Sequence, residues 1–198
     1  TKGKGGGGSV GLVPIDHGYI LPSCRHLEEV NICWLYWPQA RRGYDEWTLR
    51  YIEGLDAEAD VSLLRTTLGL PEDCLVTLFV GTTLVQKAAQ AGLTLHATGL
   101  LMVREEADAP SAMEEAVSRA LERCGLSLTG EVSDDEWRSE ALREALADAI
   151  GRKVEEAVSD QRVSGSFRTL SSSIFRHRAS ADIEGAERLG GGGGGPPP

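Results

Sequence analysis

Cysteine is sparse in this chain of 198 residues, and Cys24, Cys33, Cys74 and Cys124 lie too far apart to make a Cys-x-x-Cys pair. The 4 histidines supply no complementary spacing. That excludes a zinc-ribbon or zinc-finger reading and leaves the thiols as buried or idle groups of a reduced, intracellular protein. Long apolar runs are missing too. The longest stretch, Cys74 to Val80 continued through Gly81-Thr82-Thr83 to Val85, falls short of the roughly 20 residues that a membrane-spanning helix needs. The expected location is therefore cytoplasmic, with at most peripheral contact to a membrane. Positive charge is not in excess. The net charge is −10, and Arg104 to Asp160 carries 16 acids against 7 bases, which argues against a nucleic-acid surface and for a solvated acidic helix face. Aromatic residues amount to only 6% of the chain, yet Trp34, Tyr36 and Trp37 fall within four consecutive positions.

Both ends are compositionally simple. Thr1 to Ser9 is Gly and Lys, and Gly190 to Pro198 is Gly and Pro; neither can offset its ordering entropy by burial. Residues 1–10 read as a Gly-rich linker or insertion and 162–198 as a disordered tail, Ser- and Arg-rich before its Gly/Pro end. A globular part runs from Gly11 to about Gln161. In it, Leu12 to Ile15 is at best a short strand, because Pro14 cannot donate to a ladder. Tyr19 to Ala40 reads as an irregular loop.

Helices dominate after that, and most are announced by their caps. Tyr44-Asp45-Glu46-Trp47 opens a short helix with acids in its first turn. Asp56 caps a second helix, with Val61, Leu63 and Leu64 as its inward face. Pro71 occupies the first position of a third, to about Ala91, whose apolar residues Leu75, Leu78, Phe79, Leu84 and Val85 mark it as the buried central helix. Gly92 ends it, and Thr94 caps a helix over Leu95 to Arg104. Ser111 to Glu114 and Ser133 to Glu136 fit the capping box. The helix after the second box, about Asp134 to Val158, places Trp137, Ala141, Ala145, Ile150, Val154 and Ala157 on one stripe, to pack on its own domain or on a neighbour. The expected class is mainly α.

Two motifs bear on chemistry. The glycine run Gly3-Lys4-Gly5-Gly6-Gly7-Gly8 matches G-x-G-x-x-G by composition alone; no strand precedes it, so it is no phosphate-binding loop. Val13-Pro14-Ile15-Asp16-His17-Gly18 is different, because a carboxylate after an apolar strand and before a turning glycine can hold a divalent cation. The second motif is Trp34-Leu35-Tyr36-Trp37-Pro38-Gln39-Ala40-Arg41-Arg42. It suits core packing of a loop, or an aromatic surface with the cationic edge Arg41 and Arg42 set against a membrane interface and a phosphoinositide head group, and neither use excludes the other.

Ile15-Asp16-His17-Gly18, Trp34 to Ala40, Thr48-Leu49 to Tyr51-Ile52, Leu55 to Asp60 and Leu63-Leu64-Arg65 together resemble the C-lobe of type II-like phosphatidylinositol 4-kinases. The likeness is to the plant and algal gamma group of the phosphatidylinositol 3- and 4-kinase superfamily and runs from about Leu12 to Glu106. It includes Leu84 with Gln86-Lys87, Gly92-Leu93-Thr94 and Gly99-Leu100-Leu101-Met102.

The resemblance implies the helical C-lobe portion of a protein-kinase-like α+β fold over 11–124, with 125–161 as a helical extension. It implies ATP and Mg2+ as cofactors, Asp16 as a magnesium ligand, and Trp34, Tyr36, Trp37, Arg41 and Arg42 as the surface facing phosphatidylinositol and the membrane. The family's catalytic loop and its nucleotide-binding N-lobe have no counterpart ahead of Asp16. The chain is thus expected to be a C-terminal fragment, inactive alone, whose partner is the missing N-lobe of the same parent chain. Two other expectations stand beside it: a protein kinase of the same fold, and a non-catalytic module that binds a membrane or a partner through the aromatic loop or the 134–158 helix.

Overall fold

The structure is a computed structural model that describes residues 21–27, 32–106 and 108–164, the last four of these by their backbone alone. Seven α-helices lie among these residues: α1 (Glu46–Glu53), α2 (Ala57–Leu68), α3 (Glu72–Gln90), α4 (Leu95–Leu100), α5 (Ala112–Arg123), α6 (Asp134–Arg138) and α7 (Glu140–Ser164). Three single turns of 3-10 helix precede them, over Cys24–His26, Cys33–Tyr36 and Pro38–Arg41. The described residues contain no strand, in keeping with the mainly α expectation. The expected Leu12–Ile15 strand, Asp16 and the tail beyond Ser164 lie outside the described residues.

The helix starts follow their sequence signals. Asp45, Asp56 and Thr94 each accept a hydrogen bond from the backbone N–H three residues on. Ser111 and Ser133 each close a full capping box with Glu114 and Glu136, satisfying two orphan donors apiece. Pro71 sits one position before its expected place, as the N-cap of α3.

α3 is the central helix. Leu75, Val76, Phe79, Leu84 and Ala88 are buried along it, and α1, α2, α4, α6 and α7 all pack against it. α5 lies against α7, where Val117 and Leu121 meet the same core as Leu142, Leu146 and Ile150. Each fully buried Leu or Ile there contributes roughly 1.5–3 kcal/mol by leaving water.

Three expectations change. Leu63 is 57% exposed, so Val61 and the half-buried Leu64 carry the inward face of α2. α4 ends at Leu100, short of Arg104. The helix expected over 134–158 is two helices: Ser139 takes extended dihedrals (φ −61°, ψ 138°), which breaks the register. Trp137 stays buried, but Ala141 turns to solvent, and Leu142, Ala145, Leu146, Ala149, Ile150 and Val154 form the buried stripe of α7.

Polar contacts fasten the periphery. Glu72, 3% exposed, accepts hydrogen bonds from Arg65 of α2 at 2.7 and 2.9 Å and from Arg138 of α6 at 2.8 Å. The Arg65 hydrogen bond, then Arg138, holds this carboxyl below its ordinary value. Arg143 of α7 donates to Glu58 at 2.9 Å and lies over the Phe79 ring at 4.9 Å. Arg25 donates to the Leu128 and Gly130 carbonyls and stacks over Trp137 at 5.1 Å, tying the first turn to the 126–132 loop. Beside it Cys24 is buried, and burial pushes its thiol up to about 12, consistent with an idle cysteine. The described cysteines are all unbridged.

Candidate functional site

The aromatic segment is built from two consecutive 3-10 turns, closed by Trp37 N–H donating to the Trp34 carbonyl (3.0 Å), Ala40 N–H to Trp37 (3.0 Å) and Arg42 N–H to Gln39 (3.1 Å). With three residues per turn, side chains three apart share a face. Ile32 and Leu35 are buried on one such face and Ala40 joins them, while Tyr36 and Trp37 are 55% and 57% exposed. Pro38 starts the second turn, where its fixed φ suits a helical first position.

α4 is the base on which this loop rests. The Trp34 ring and a Leu35 methyl lie so close to Gly99 that a Cβ there would sit 2.6–2.8 Å from them. His96 Nδ1 is 3.0 Å from the Leu35 carbonyl. A carbonyl only accepts, so Nδ1 carries the proton. Burial, then the nearby Arg41 charge, pushes the His96 pKa below its ordinary value, so the imidazole is neutral near pH 7. Arg41 and Arg42 are exposed and have no ion-pair partner among the described residues.

Core packing holds for part of the segment: Trp34 and Leu35 pack inward, whereas Tyr36, Trp37, Arg41 and Arg42 are exposed. The sequence expectations gave no role to His96 and Gly99 at the base, nor to the rings of α1, where Trp47 is 75% and Tyr51 61% exposed. Their rings stack at 6.0 Å with an interplanar angle of 11°. The signal was there as two aromatics four apart on a polar helix.

Asp16 lies outside the described residues. Among the described residues no three His, Cys, Asp or Glu side chains converge as a metal site would need. An apolar cleft of about 350 Å³ opens between α3 and the 101–113 segment, with Leu78, Leu84, Met102 and Met113 in its walls. Among the described residues no ionisable side chain lines it. No helix among the described residues is long and apolar enough to cross a membrane.

No family model matches the chain, and no solved structure matches it. Curated plant proteins do. The chain is 43% identical over 116 residues to phosphatidylinositol 4-kinase gamma 4 of Arabidopsis thaliana, covering 58% of this chain and 20% of that protein. Phosphatidylinositol 4-kinase gamma 8 of Arabidopsis thaliana is 37% identical over 144 residues, covering 71% of this chain and 26% of the relative. The gamma 4 protein of Oryza sativa subsp. japonica is 38% identical over 110 residues, or 55% and 19%. The chain thus resembles plant proteins named phosphatidylinositol 4-kinase gamma, and spans about a fifth to a quarter of the length of these relatives.

Proposed function

We propose that residues 11–124 form the helical C-lobe part of a phosphatidylinositol 4-kinase-like catalytic domain, and that the Trp34–Arg42 loop is its lipid-facing edge. The reaction would transfer the γ-phosphate of ATP to the 4-hydroxyl of phosphatidylinositol, with Asp16 as a ligand to Mg2+. One observation carries this reading: a chain similar to the plant gamma kinases exposes Tyr36, Trp37, Arg41 and Arg42 on one short segment with a fixed base, the two arginines having no ion-pair partner among the described residues. Amphipathic rings suit the level of lipid head groups, and guanidinium groups suit phosphate. What this chain contributes is position: α4 holds the loop while the chemistry rests on parts that the rest of a kinase domain supplies.

The test is made on the full-length protein that contains this chain, with labelled ATP and phosphatidylinositol vesicles. Trp37→Ala is expected to raise the KM for vesicle lipid while leaving the KM for ATP in place, and Asp16→Asn to abolish transfer. Label passing to protein hydroxyls and none to lipid, or a Trp37→Ala enzyme with an unchanged lipid KM, would refute the reading.

A further inference from the structure

The first described stretch, 21–27, is fastened residue by residue. The Thr77 hydroxyl of α3 donates to the Pro22 carbonyl at 2.8 Å, and the Ser23 hydroxyl donates to Asp73 at 2.5 Å. Cys24 is 2% exposed in the core, and Arg25 holds the Leu128 and Gly130 carbonyls. Fastened in this way, Leu21 and Leu27 both stand in the wall of the apolar cleft, together with Thr77, Leu78, Met102 and Met113. Two stretches outside the described residues therefore join the chain at this wall, 1–20 ahead of Leu21 and 28–31 after Leu27. Their chemistry differs. The second begins Glu28-Glu29, whereas Val10 to Ile20 holds Leu12, Val13, Ile15 and Ile20 with Asp16 as its one acid and no Lys or Arg.

We propose that this cleft is a docking groove for the chain's own apolar run Leu12–Ile15, and not a pocket for a separate ligand. Reach allows it. Ile15 is six residues ahead of Leu21, which is at most about 20 Å of extended chain, and Gly18 between them lets the chain turn. Size agrees. A dry apolar cavity of about 150 Å³ already takes a benzene, so a cleft of about 350 Å³ has room for more than one aliphatic side chain. Its lining agrees as well: an aliphatic guest needs no polar partner, and the described walls offer it no ionisable group. A run tethered at the wall meets the cleft at an effective concentration of order millimolar, ahead of a free acyl chain or a second copy. The consequence reaches the motif that follows. Asp16 comes directly after Ile15, so α3 and Met102 would set where that carboxylate stands.

Thiol access on the whole 198-residue chain tests this. Ile15→Cys and the reference Ser9→Cys are alkylated under native conditions and read by peptide-resolved mass spectrometry, which separates the new thiol from the 4 native cysteines. Ile15→Cys is expected to react at least about tenfold more slowly than Ser9→Cys, as for a run that is free no more than about a tenth of the time. The difference should vanish in a Gly81→Phe background. Gly81 is in the cleft wall with no described residue within 4 Å of an added Cβ, so the ring plugs the groove. Met102→Glu, which charges the wall without filling the cleft, should do the same, and far-UV circular dichroism checks each fold. Ile15→Cys reacting as fast as Ser9→Cys overturns the proposal. So does slow reaction that neither wall variant relieves, because the run is then covered elsewhere. Protection that grows with protein concentration overturns it in favour of a second copy. Saturable uptake of cis-parinaric acid by the wild type, lost in Gly81→Phe, overturns it in favour of an acyl chain.

Discussion

Replacing Gly99 by Ala sets two effects of known sign against each other. Within a helix, Gly→Ala is favourable by about 0.5–1 kcal/mol, from lower backbone entropy in the unfolded chain and better propensity. Gly81, exposed within α3 with no described residue within 4 Å of an added Cβ, is expected to show that gain. At Gly99 the same methyl would lie 2.6 Å from Trp34 Cη2, 2.7 Å from Leu35 Cδ2 and 2.8 Å from Trp34 Cζ3. Those are distances no carbon pair tolerates, and the atoms met belong to a half-buried indole and a buried leucine, not to free side-chain ends. Overpacking of this kind costs about 1–3 kcal/mol. The expected outcome is that Gly81→Ala stabilises by about 0.5–1 kcal/mol while Gly99→Ala is neutral or destabilises by up to about 2 kcal/mol. Urea titrations followed by circular dichroism give both numbers. Trp34→Ala then serves as the second arm of a double-mutant cycle, in which the Gly99→Ala penalty should shrink. If Gly99→Ala stabilises as much as Gly81→Ala, the indole does not rest on α4 and the account of the loop's base is wrong.

Two further outcomes follow from the same packing. Glu72→Ala leaves Arg65 and Arg138 facing each other without their shared anion; because the two cations are 28% and 44% exposed and can rehydrate, the cost should be about 2–4 kcal/mol, against about 1 kcal/mol or less for Arg138→Ala. A smaller loss for Glu72→Ala than for Arg138→Ala in denaturant titrations would contradict the network. Acid should act in two stages. His96 has a pKa below its ordinary 6.5, so the unfolded chain binds the proton more readily and the seating of the loop weakens as pH falls from 6.5 through the lower folded value. Glu72 and Glu114 lie below their ordinary 4.5, chiefly through Arg65 and Arg104, so their stabilisation is complete above 4.5 and is lost only below it. In a Trp37→Phe/Trp47→Phe/Trp137→Phe background, where Trp34 is the one remaining of the 4 tryptophans, tryptophan emission should therefore change at higher pH than far-UV circular dichroism; coincident transitions would refute the His96 assignment.

Much of the helical frame was legible because its signals are local. Asp45, Asp56, Thr94, Ser111 and Ser133 begin helices for reasons contained within four residues, and the all-round apolar character of Glu72–Gln90 marks a helix surrounded by others. What escaped was tertiary. Ser139 caps α7 by accepting from the Leu142 N–H at 3.3 Å, but a serine inside an amphipathic run does not by itself mark a restart; Trp137 held beneath Arg25 and α7 packed on α5 accompany the break. Leu63 has the right period to be buried, but no neighbour among the described residues covers that flank of α2. At the site, the composition of Trp34–Arg42 singled out the segment without saying which rings turn inward, because that depends on Gly99, some sixty positions away. Asp16, expected as a magnesium ligand, lies outside the described residues.

The base under the loop matters for any docking role, and magnitudes show why. Burying the exposed parts of Tyr36 and Trp37 removes roughly 170–280 Å² from water, worth about 4–7 kcal/mol. Fixing the backbone of the nine residues from Trp34 to Arg42 costs about 1–2 kcal/mol each if they start free. A loop that had to order on contact would therefore lose more than its two rings return. Ile32, Leu35 and Ala40 buried beneath, Trp34 against Gly99 and the His96 hydrogen bond to Leu35 meet that cost during folding. Only then can the outward rings act as net affinity. Variants of the base and variants of the outward rings should consequently weaken vesicle binding alike, and only the base variants should also alter the urea midpoint.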